Sequence, residues 1–141
     1  MASNTIRALL LKRNKSNNKL IIEDTIFIDT LDNLYKLLEC STIDIQVRYI
    51  NGKPYDFIFD DEYLLNGKSQ EPRNAIAIGT RKGEILEVIF YSLLICGLAD
   101  QEGKETALTD SDIENIYKSL RIASANNGEE LQIINYNFEE E

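Results

Sequence analysis

An Asn-Gly pair between two alternating segments constrains the fold more than any other feature of this sequence. Residues 42–50 and 55–60 each alternate apolar with polar side chains, and Asn51-Gly52 lies between them. The apolar positions are Ile43, Ile45, Val47, Tyr49, Tyr55, Phe57 and Phe59. Period-two alternation is typical of strands, and Asn-Gly is typical of the two-residue turn that joins them. The pattern predicts a β-hairpin, with Asp56 and Asp60 on its solvent face.

Other apolar segments predict the remaining strands. Residues 5–11 and 20–28 are expected to form a first hairpin, because the segment between them is rich in turn residues. Residues 74–78 and 83–94 predict two strands joined by a turn at 79–82. Their apolar content indicates burial on both faces and therefore a central place in the sheet. Residues 131–138 predict either a last strand or a tail that docks on a neighbouring subunit.

Two segments have the periodicity of amphipathic helices. The first covers about residues 31–40, and Asp29 or Thr30 is its predicted N-cap. The second begins after Thr109, with Asp112 three positions on, which is the spacing of a capping box. The buried positions predicted on the two helices are Leu31, Leu34, Tyr35, Leu38, Ile113, Ile116, Tyr117 and Leu120.

These elements predict an α+β fold, a mainly antiparallel sheet of hairpins with two helices packed on it. We expect about five to seven strands. The chain has 141 residues, which is a usual size for one domain. We expect residues 1–121 to form a single domain, with residues 122–141 as a C-terminal extension that adds a strand or an oligomer contact.

The absence of histidine limits the chemistry. Histidine is the commonest general base at neutral pH and the commonest transition-metal ligand. Catalytic triads and mixed Cys/His zinc sites are therefore excluded. Cys40 and Cys96 are the only cysteines, and we expect both to be reduced. We expect a non-enzymatic protein with neither cofactor nor metal, although a pair of carboxylates among the 24 acids remains a formal catalytic alternative.

The charge distribution argues against nucleic-acid binding. Residues 1–22 carry +5 and contain no acid, so the remaining residues carry −14 within a total of −9. Phosphate backbones are bound by clustered lysine and arginine, which an acidic chain lacks. The longest apolar run, residues 88–99, is too short to span a membrane. We therefore expect a soluble cytoplasmic protein that binds neither nucleic acid nor membrane.

The densest acidic cluster consists of Asp56, Asp60, Asp61 and Glu62. Carboxylate oxygens are the ligands that Mg²⁺ and Ca²⁺ prefer. The spacing lacks the pattern of an EF-hand, so the sequence leaves cation binding by this cluster open.

A polar loop at residues 62–73 leads into an apolar strand at Arg73-Asn74. Arginine binds carboxylate or phosphate in a planar fork, and asparagine both donates and accepts hydrogen bonds. We predict a small anion site formed by Arg73, Asn74, Arg48, Lys68 and Arg81, with Tyr63 and Tyr91 as stacking platforms. The alternative is that Arg73 pairs with Glu62 or Glu71 and only holds the loop in place.

Several motifs in order resemble a family of small proteins of unknown function from bacteriophages and conjugative elements. The motifs are Ala8-Leu9-Leu10, Thr30-Leu31-Asp32-Asn33-Leu34, the strand 43–47, Asn66-Gly67, Pro72-Arg73-Asn74, Leu94-Ile95-Cys96-Gly97 and the helix 107–114. The resemblance covers roughly residues 6–120. Family members usually have a fuller N-R or N-P-R run, whereas this chain reads Pro72-Arg73-Asn74. The segment 122–141 also lies beyond their usual end.

The resemblance implies a mobile-element setting, in which small acidic proteins often counter host defence. One hypothesis is a protein that sequesters a small anionic, nucleotide-type immune signal in the host bacterial cytoplasm through Arg73 and Asn74. The other is an acidic inhibitor that docks on a host defence protein and imitates the charge of DNA. In both cases we expect a homo-oligomer.

Overall fold

A computed structural model describes residues 5–14, 19–60, 74–124 and 130–139. The elements are β1 (Thr5–Arg13), β2 (Leu20–Ile28), α1 (Leu31–Leu38), β3 (Asp44–Ile50), β4 (Lys53–Phe59), β5 (Ala75–Arg81), β6 (Glu84–Phe90), β7 (Ser92–Cys96), α2 (Asp110–Tyr117), β8 (Leu120–Ser124) and β9 (Glu130–Asn137). All strand pairings are antiparallel except β5 with β9. The predicted α+β class is confirmed, and the described residues form nine strands, more than expected.

The Asn-Gly hairpin forms as predicted. Ile50 pairs with Lys53, and Asn51 and Gly52 have φ values of 51° and 81°. Positive φ at both central residues defines the turn whose twist matches that of the flanking strands. A first hairpin, β1 with β2, is also confirmed.

The β5–β6 turn lies later in the chain than predicted. Lys82 and Gly83 form it, with φ values of 51° and 83°, so the predicted turn at 79–82 is wrong. Gly79 is part of β5, and a Cβ atom there would lie 2.5 Å from the Tyr136 ring. This glycine therefore permits the close approach of an aromatic ring and does not mark a turn.

The sheet bends back on itself. Its strand order is β2-β1-β7-β4-β3-β9-β5-β6, with β8 paired to β9. The strands β6 and β7 lie far apart in this order, yet Tyr91 alone joins them along the chain. The same curvature brings the end of β1 to the start of β5, where the Arg13 guanidinium donates a hydrogen bond to the Ala75 carbonyl.

Two apolar clusters cover the two faces of the central strands. The larger contains Leu9, Leu11, Ile50, Tyr55, Phe57, Ile76, Leu93, Ile95, Ile116, Ile134 and Tyr136, and α2 contributes to it. The smaller contains Ala8, Leu10, Phe27, Ile58, Leu94 and Cys96, packed against Leu34 and Leu38 of α1. Both helices therefore pack on the sheet, one on each face.

The burial pattern of the β3–β4 hairpin differs from the prediction. Asp56 and Asp60 are only 4% and 6% exposed, so their assignment to a solvent face is wrong. Conversely, Ile45 and Val47 of β3 are exposed. The strand β4 is central and has an apolar cluster on each side. Alternation along it therefore does not distinguish a solvent-exposed face from a buried one.

Three further burial predictions are also wrong. Leu31 and Tyr117 lie at helix ends and are about half exposed, although both were predicted to be buried. Residues 83–94 were predicted to form one central strand, but the strand breaks at Tyr91. Its first part, β6, ends the strand order and exposes Ile85 and Leu86, whereas its second part, β7, is central.

The segment after residue 121 supplies a strand of the central sheet. Most of β8, a strand that was not predicted, and all of β9 lie in it. The strand β9 pairs with β8, with β3 at Tyr49 and Asn137, and in parallel with β5. Its Ile134 and Tyr136 are almost completely buried.

Both cysteines are free, as predicted. Neither helix within the described residues has the length and apolarity needed to cross a membrane.

Removing β9 should unfold the protein. A chain that ends at residue 129 loses buried Leu131, Ile133, Ile134 and Tyr136 and leaves β5 without its parallel neighbour. Each such side chain contributes about 2–4 kcal/mol, so the total exceeds the usual stability of a domain. Circular dichroism should show no cooperative thermal transition. A control chain that ends at Phe138 should keep its Tm within a few degrees, and equal melting of both chains would contradict the prediction.

Candidate functional site

Asn74 and Tyr91, two of the predicted ligand-binding residues, lie in direct contact. The Asn74 side-chain amide donates to the Tyr91 hydroxyl at 3.3 Å. The backbone N–H of Tyr91 donates to the Asn74 carbonyl at 2.9 Å. Both residues are half-buried. The contact forms because Asn74 immediately precedes β5 and Tyr91 immediately follows β6, its hairpin partner.

Tyr91 has an unusual backbone conformation. Its φ of 73° lies in the left-handed region, which is rare for a bulky residue. At this residue the chain leaves β6 and enters β7. Strained residues of this kind concentrate at functional sites, where the surrounding structure holds them in place.

Arg13 completes this cluster, which we call the Asn74–Tyr91 site. Its guanidinium binds the carbonyl of Ala75, the residue after Asn74. Arg13 was not predicted as a site residue, because 62 positions separate it from Ala75. The only signal in the sequence was its place in the basic N-terminal segment, and only the curvature of the sheet brings it here.

Arg48 and Arg81 lie together at a different place. Their guanidinium carbons are 4.3 Å and 6.0 Å from the centre of the Phe138 ring. Asn74 precedes β5 and Arg81 ends it, so a strand rise of about 3.3 Å per residue puts them roughly 20 Å apart. The structure therefore does not bring Arg48 and Arg81 to the Asn74–Tyr91 site.

Arg48 forms a half-buried ion pair with Glu87. Its Nε and Nη2 atoms donate to the two carboxylate oxygens of Glu87 at 3.1 Å each. The Tyr136 hydroxyl donates to the same carboxylate at 2.5 Å. Burial and the Glu87 charge raise the pKa of Tyr136 well above its usual value, so it stays a neutral donor. Arg81 forms a more exposed ion pair with Glu139.

The other three predicted ligand-binding residues, Arg73, Lys68 and Tyr63, lie outside the described residues. So do Asp61 and Glu62 of the acidic cluster. Arg73 directly precedes Asn74 in the sequence.

A shallow polar pocket of about 260 Å³ lies between the β3–β4 turn and α2. Its lining residues are Asn51, Lys53, Ser111, Glu114, Asn115 and Lys118. The Asn115 amide donates to the Ile50 carbonyl and to the Tyr55 hydroxyl, both at 3.0 Å. Lys53 binds Asp112. The polar groups of this pocket therefore hold the hairpin against the helix.

Asp112 connects the capping box of α2 to this hairpin. Its Oδ2 accepts from the Thr109 backbone at 2.9 Å, and the Thr109 hydroxyl caps the Asp112 N–H. Its Oδ1 accepts from Lys53 and from the Tyr55 hydroxyl. Burial by itself raises the pKa of Asp112, but hydrogen bonds from Lys53, Thr109 and Tyr55 outweigh it and hold the pKa below its usual value. The predicted capping box is confirmed.

No group of three or more Cys, Asp or Glu side chains within the described ranges is arranged to hold a metal ion. The Asn74–Tyr91 site instead offers an amide, a hydroxyl and a guanidinium. These groups donate hydrogen bonds to anionic oxygens, and the tyrosine ring offers a face for stacking.

The fold and this site define a small α+β protein with a strongly bent sheet and a polar cluster at the bend. The chain belongs to the family described as Domain of unknown function (DUF3846), which matches residues 6–121. No curated protein and no solved structure matches the chain. The family extends over all elements up to α2, whereas β9 lies beyond the matched residues.

Substituting Glu87→Gln should destabilise the protein strongly. The change leaves the Arg48 charge, whose side chain is 11% exposed, without its carboxylate. Removing one partner of a buried ion pair costs about 3 kcal/mol. Chemical denaturation should show this loss. The matched control Glu102→Gln, which breaks an exposed pair with Lys104, should cost below about 1 kcal/mol. Similar losses in both variants would contradict the structural role of Arg48.

Substituting Asp112→Asn should lower stability at pH 7 by about 1–2 kcal/mol, because the capping box and the Lys53 contact are weakened. The depressed folded pKa stabilises the protein above the unfolded pKa of about 3.9, and this contribution disappears as pH falls through the folded value. The difference from wild type should therefore shrink below about pH 4 in denaturation curves. Asp32→Asn, in the exposed first turn of α1, is the control and should show no such difference.

Proposed function

We propose that this protein binds a small anionic ligand at the Asn74–Tyr91 site and does not transform it. The observation that carries the proposal is the contact of the Asn74 amide with the Tyr91 hydroxyl, beside the Arg13 guanidinium. The amide and the hydroxyl meet where the chain passes through a left-handed backbone conformation at Tyr91, and the Arg13 guanidinium is bound to the carbonyl of Ala75, the residue after Asn74. Such a preformed cluster lowers the entropy cost of binding.

The chemistry of the cluster favours a phosphate-containing ligand with an aromatic part. Arginine binds phosphate oxygens in a fork, and hydrogen bonds that involve a charged group are about twice as strong as neutral ones. Arg73 adds a second guanidinium next to Asn74 in the sequence. The Tyr91 ring offers a surface on which a base can stack, which contributes about 1–3 kcal/mol.

The resemblance to proteins of bacteriophages and conjugative elements supports a more specific proposal. In that setting the ligand is a nucleotide-type signal of host immunity, and the protein sequesters it in the bacterial cytoplasm. An oligomer would hold several sites and bind more of the signal per assembly.

A second candidate function is inhibition by direct docking on a host defence protein. The observation that favours it is that basic side chains form ion pairs with acids of the same protein. Ion pairs among the described residues include Arg7 with Asp24, Lys12 with Glu23, Arg48 with Glu87, Lys53 with Asp112, Arg81 with Glu139 and Lys104 with Glu102. Because these pairs are neutral, the net charge of −9 is carried by other acids and attracts a basic partner surface.

Ligand binding is tested by native mass spectrometry of protein purified from bacterial cells, followed by calorimetry with mononucleotides and cyclic dinucleotides. We expect a co-purified nucleotide whose mass is unchanged after prolonged incubation. Arg73→Ala and Asn74→Ala should each weaken binding about 10- to 100-fold, since hydrogen bonds to charged groups contribute about 1.5–3 kcal/mol. Tyr91→Phe keeps the ring and should weaken binding less.

Two controls separate the two candidate functions. Tyr117→Phe removes a hydroxyl from an exposed tyrosine on α2 and should leave the affinity unchanged. Neutralising Glu139, Glu140 and Glu141 should also have little effect on nucleotide binding. If neutralisation abolishes activity while Arg73→Ala and Asn74→Ala do not, and a host protein is retained in a pull-down, the docking function replaces the ligand-binding one. Conversion of the nucleotide to a product would contradict both.

A further inference from the structure

The segment between β7 and α2 folds back on itself at residues 97–106, which we call the 97–106 loop. The Gly97 N–H donates to the Thr106 carbonyl at 2.9 Å, and the Thr106 hydroxyl donates to the Leu98 carbonyl at 2.7 Å. A Cβ atom at Gly97 would lie 2.4 Å from that hydroxyl, so only glycine fits at this base. The loop is therefore closed at its base by short, local contacts.

Carboxyl groups hold the two arms of the loop next to its base. Glu105 is 7% exposed and its side chain lies in hydrogen-bonding contact with Asp56, which is 4% exposed. Asp56 also binds the other arm of the loop, because its Oδ2 accepts a hydrogen bond from the Ala99 N–H at 3.0 Å. Asp29, between β2 and α1, accepts the Glu105 N–H at 3.0 Å. Two aspartates from the body of the protein thus bind both arms of the loop.

Among the described residues, the titratable groups that face Glu105 are acids or potential anions. They are Asp56 on β4, Asp29 before α1, Asp100 in the loop itself and the Cys96 thiol on β7. No lysine or arginine of the described residues forms an ion pair with Asp29, Asp56 or Glu105, and Lys104 in the loop pairs with Glu102 instead. Glu105 Oε2 is buried without a hydrogen-bond partner. Two buried carboxyl groups in contact cannot both be ionised without a counter-charge.

We propose that Asp56 and Glu105 share one proton, and that this proton closes the 97–106 loop over Cys96. The contact between these two side chains holds the loop closed and breaks when the proton is lost. One carboxyl donates to the other, which removes one negative charge from a site that no lysine or arginine of the described residues neutralises. Loss of the proton leaves two carboxylates in contact beside Asp29, and their repulsion drives Glu105 out into solvent.

The pKa of Glu105 agrees with a shared proton and gives the pH range in which the loop should open. Burial, the hydrogen bond with Asp56 and the charges of Asp56, Asp29 and Asp100 raise the pKa of Glu105 to about 9. The folded state therefore binds more protons than the unfolded state between about pH 4.5 and pH 9. Stability is greatest below the lower value and falls as pH rises, and the loop should open near and above pH 9.

Labelling of Cys96 by a disulfide reagent such as Ellman's reagent measures the opening. Cys96 is fully buried, and a Cys40→Ser background makes it the only thiol. Glu105→Gln keeps the shape of the side chain and donates to Asp56 at every pH. We expect equal labelling rates in the background protein and the Glu105→Gln variant at pH 7. At pH 10 the background protein should label about 10-fold faster, since one pH unit above a pKa changes the protonated fraction tenfold.

The comparison is made between variants at each pH. The charge of Glu105 raises the pKa of the Cys96 thiol, so Glu105→Gln by itself favours the thiolate and would speed labelling of the variant, which is opposite to the expected difference. Glu102→Gln, an exposed glutamate of the same loop, should behave like the background protein. Asp56→Asn, which also removes the carboxyl contact, should suppress the alkaline rise as Glu105→Gln does. The proposal would be overturned if the labelling rate of the background protein, divided by that of the Glu105→Gln variant, did not change with pH. An increase in Tm on adding CaCl₂ or MgCl₂ at pH 7 that Asp56→Asn abolishes would also overturn it, because a cation would then replace the proton.

Discussion

The backbone ladder that β9 forms with β5 and β3 is the interaction on which the rest of the structure depends. Without it, the β3–β4 and β5–β6 hairpins would have no common neighbour, and the sheet could not continue around its bend. The ladder also places Ile134 and Tyr136 in the larger apolar cluster. The family match ends at residue 121, so in this chain the strand that joins the two hairpins comes from beyond the matched region.

Once the sheet bends, it buries charged groups, and the protein stabilises them in two different ways. Glu87 is neutralised by Arg48 in a bidentate ion pair and also accepts from Tyr136. No lysine or arginine of the part of the chain that the structure describes pairs with Asp56 or Glu105, and we attribute their stability to a shared proton. An ion pair with arginine persists across the physiological pH range, whereas a shared proton is lost in alkali. The first is therefore a permanent contact and the second a reversible one.

The candidate site was only partly visible in the sequence. Asn74 and Tyr91 were selected as neighbours of one loop, and they meet because β5 and β6 form a hairpin. Arg48 and Arg81 were grouped with them by closeness along the chain, but a strand separates its two ends by its full length. Arg13 is distant in sequence, and only the curvature of the sheet brings it to Ala75. Sequence reasoning thus identified the local pair and missed the arginine that tertiary structure adds.

The sequence by itself determined the features that depend on residues within about four positions of one another. These include the Asn51-Gly52 turn, the Thr30 cap of α1 and the capping box of Thr109 and Asp112. Tertiary structure alone decided which faces of the strands are buried, because both faces of β4 are covered by elements far away in the chain. It buried Asp56 while exposing Ile45 and Val47, although alternation predicted the reverse. A turn or cap is completed by its own neighbours, whereas burial depends on what packs above a strand.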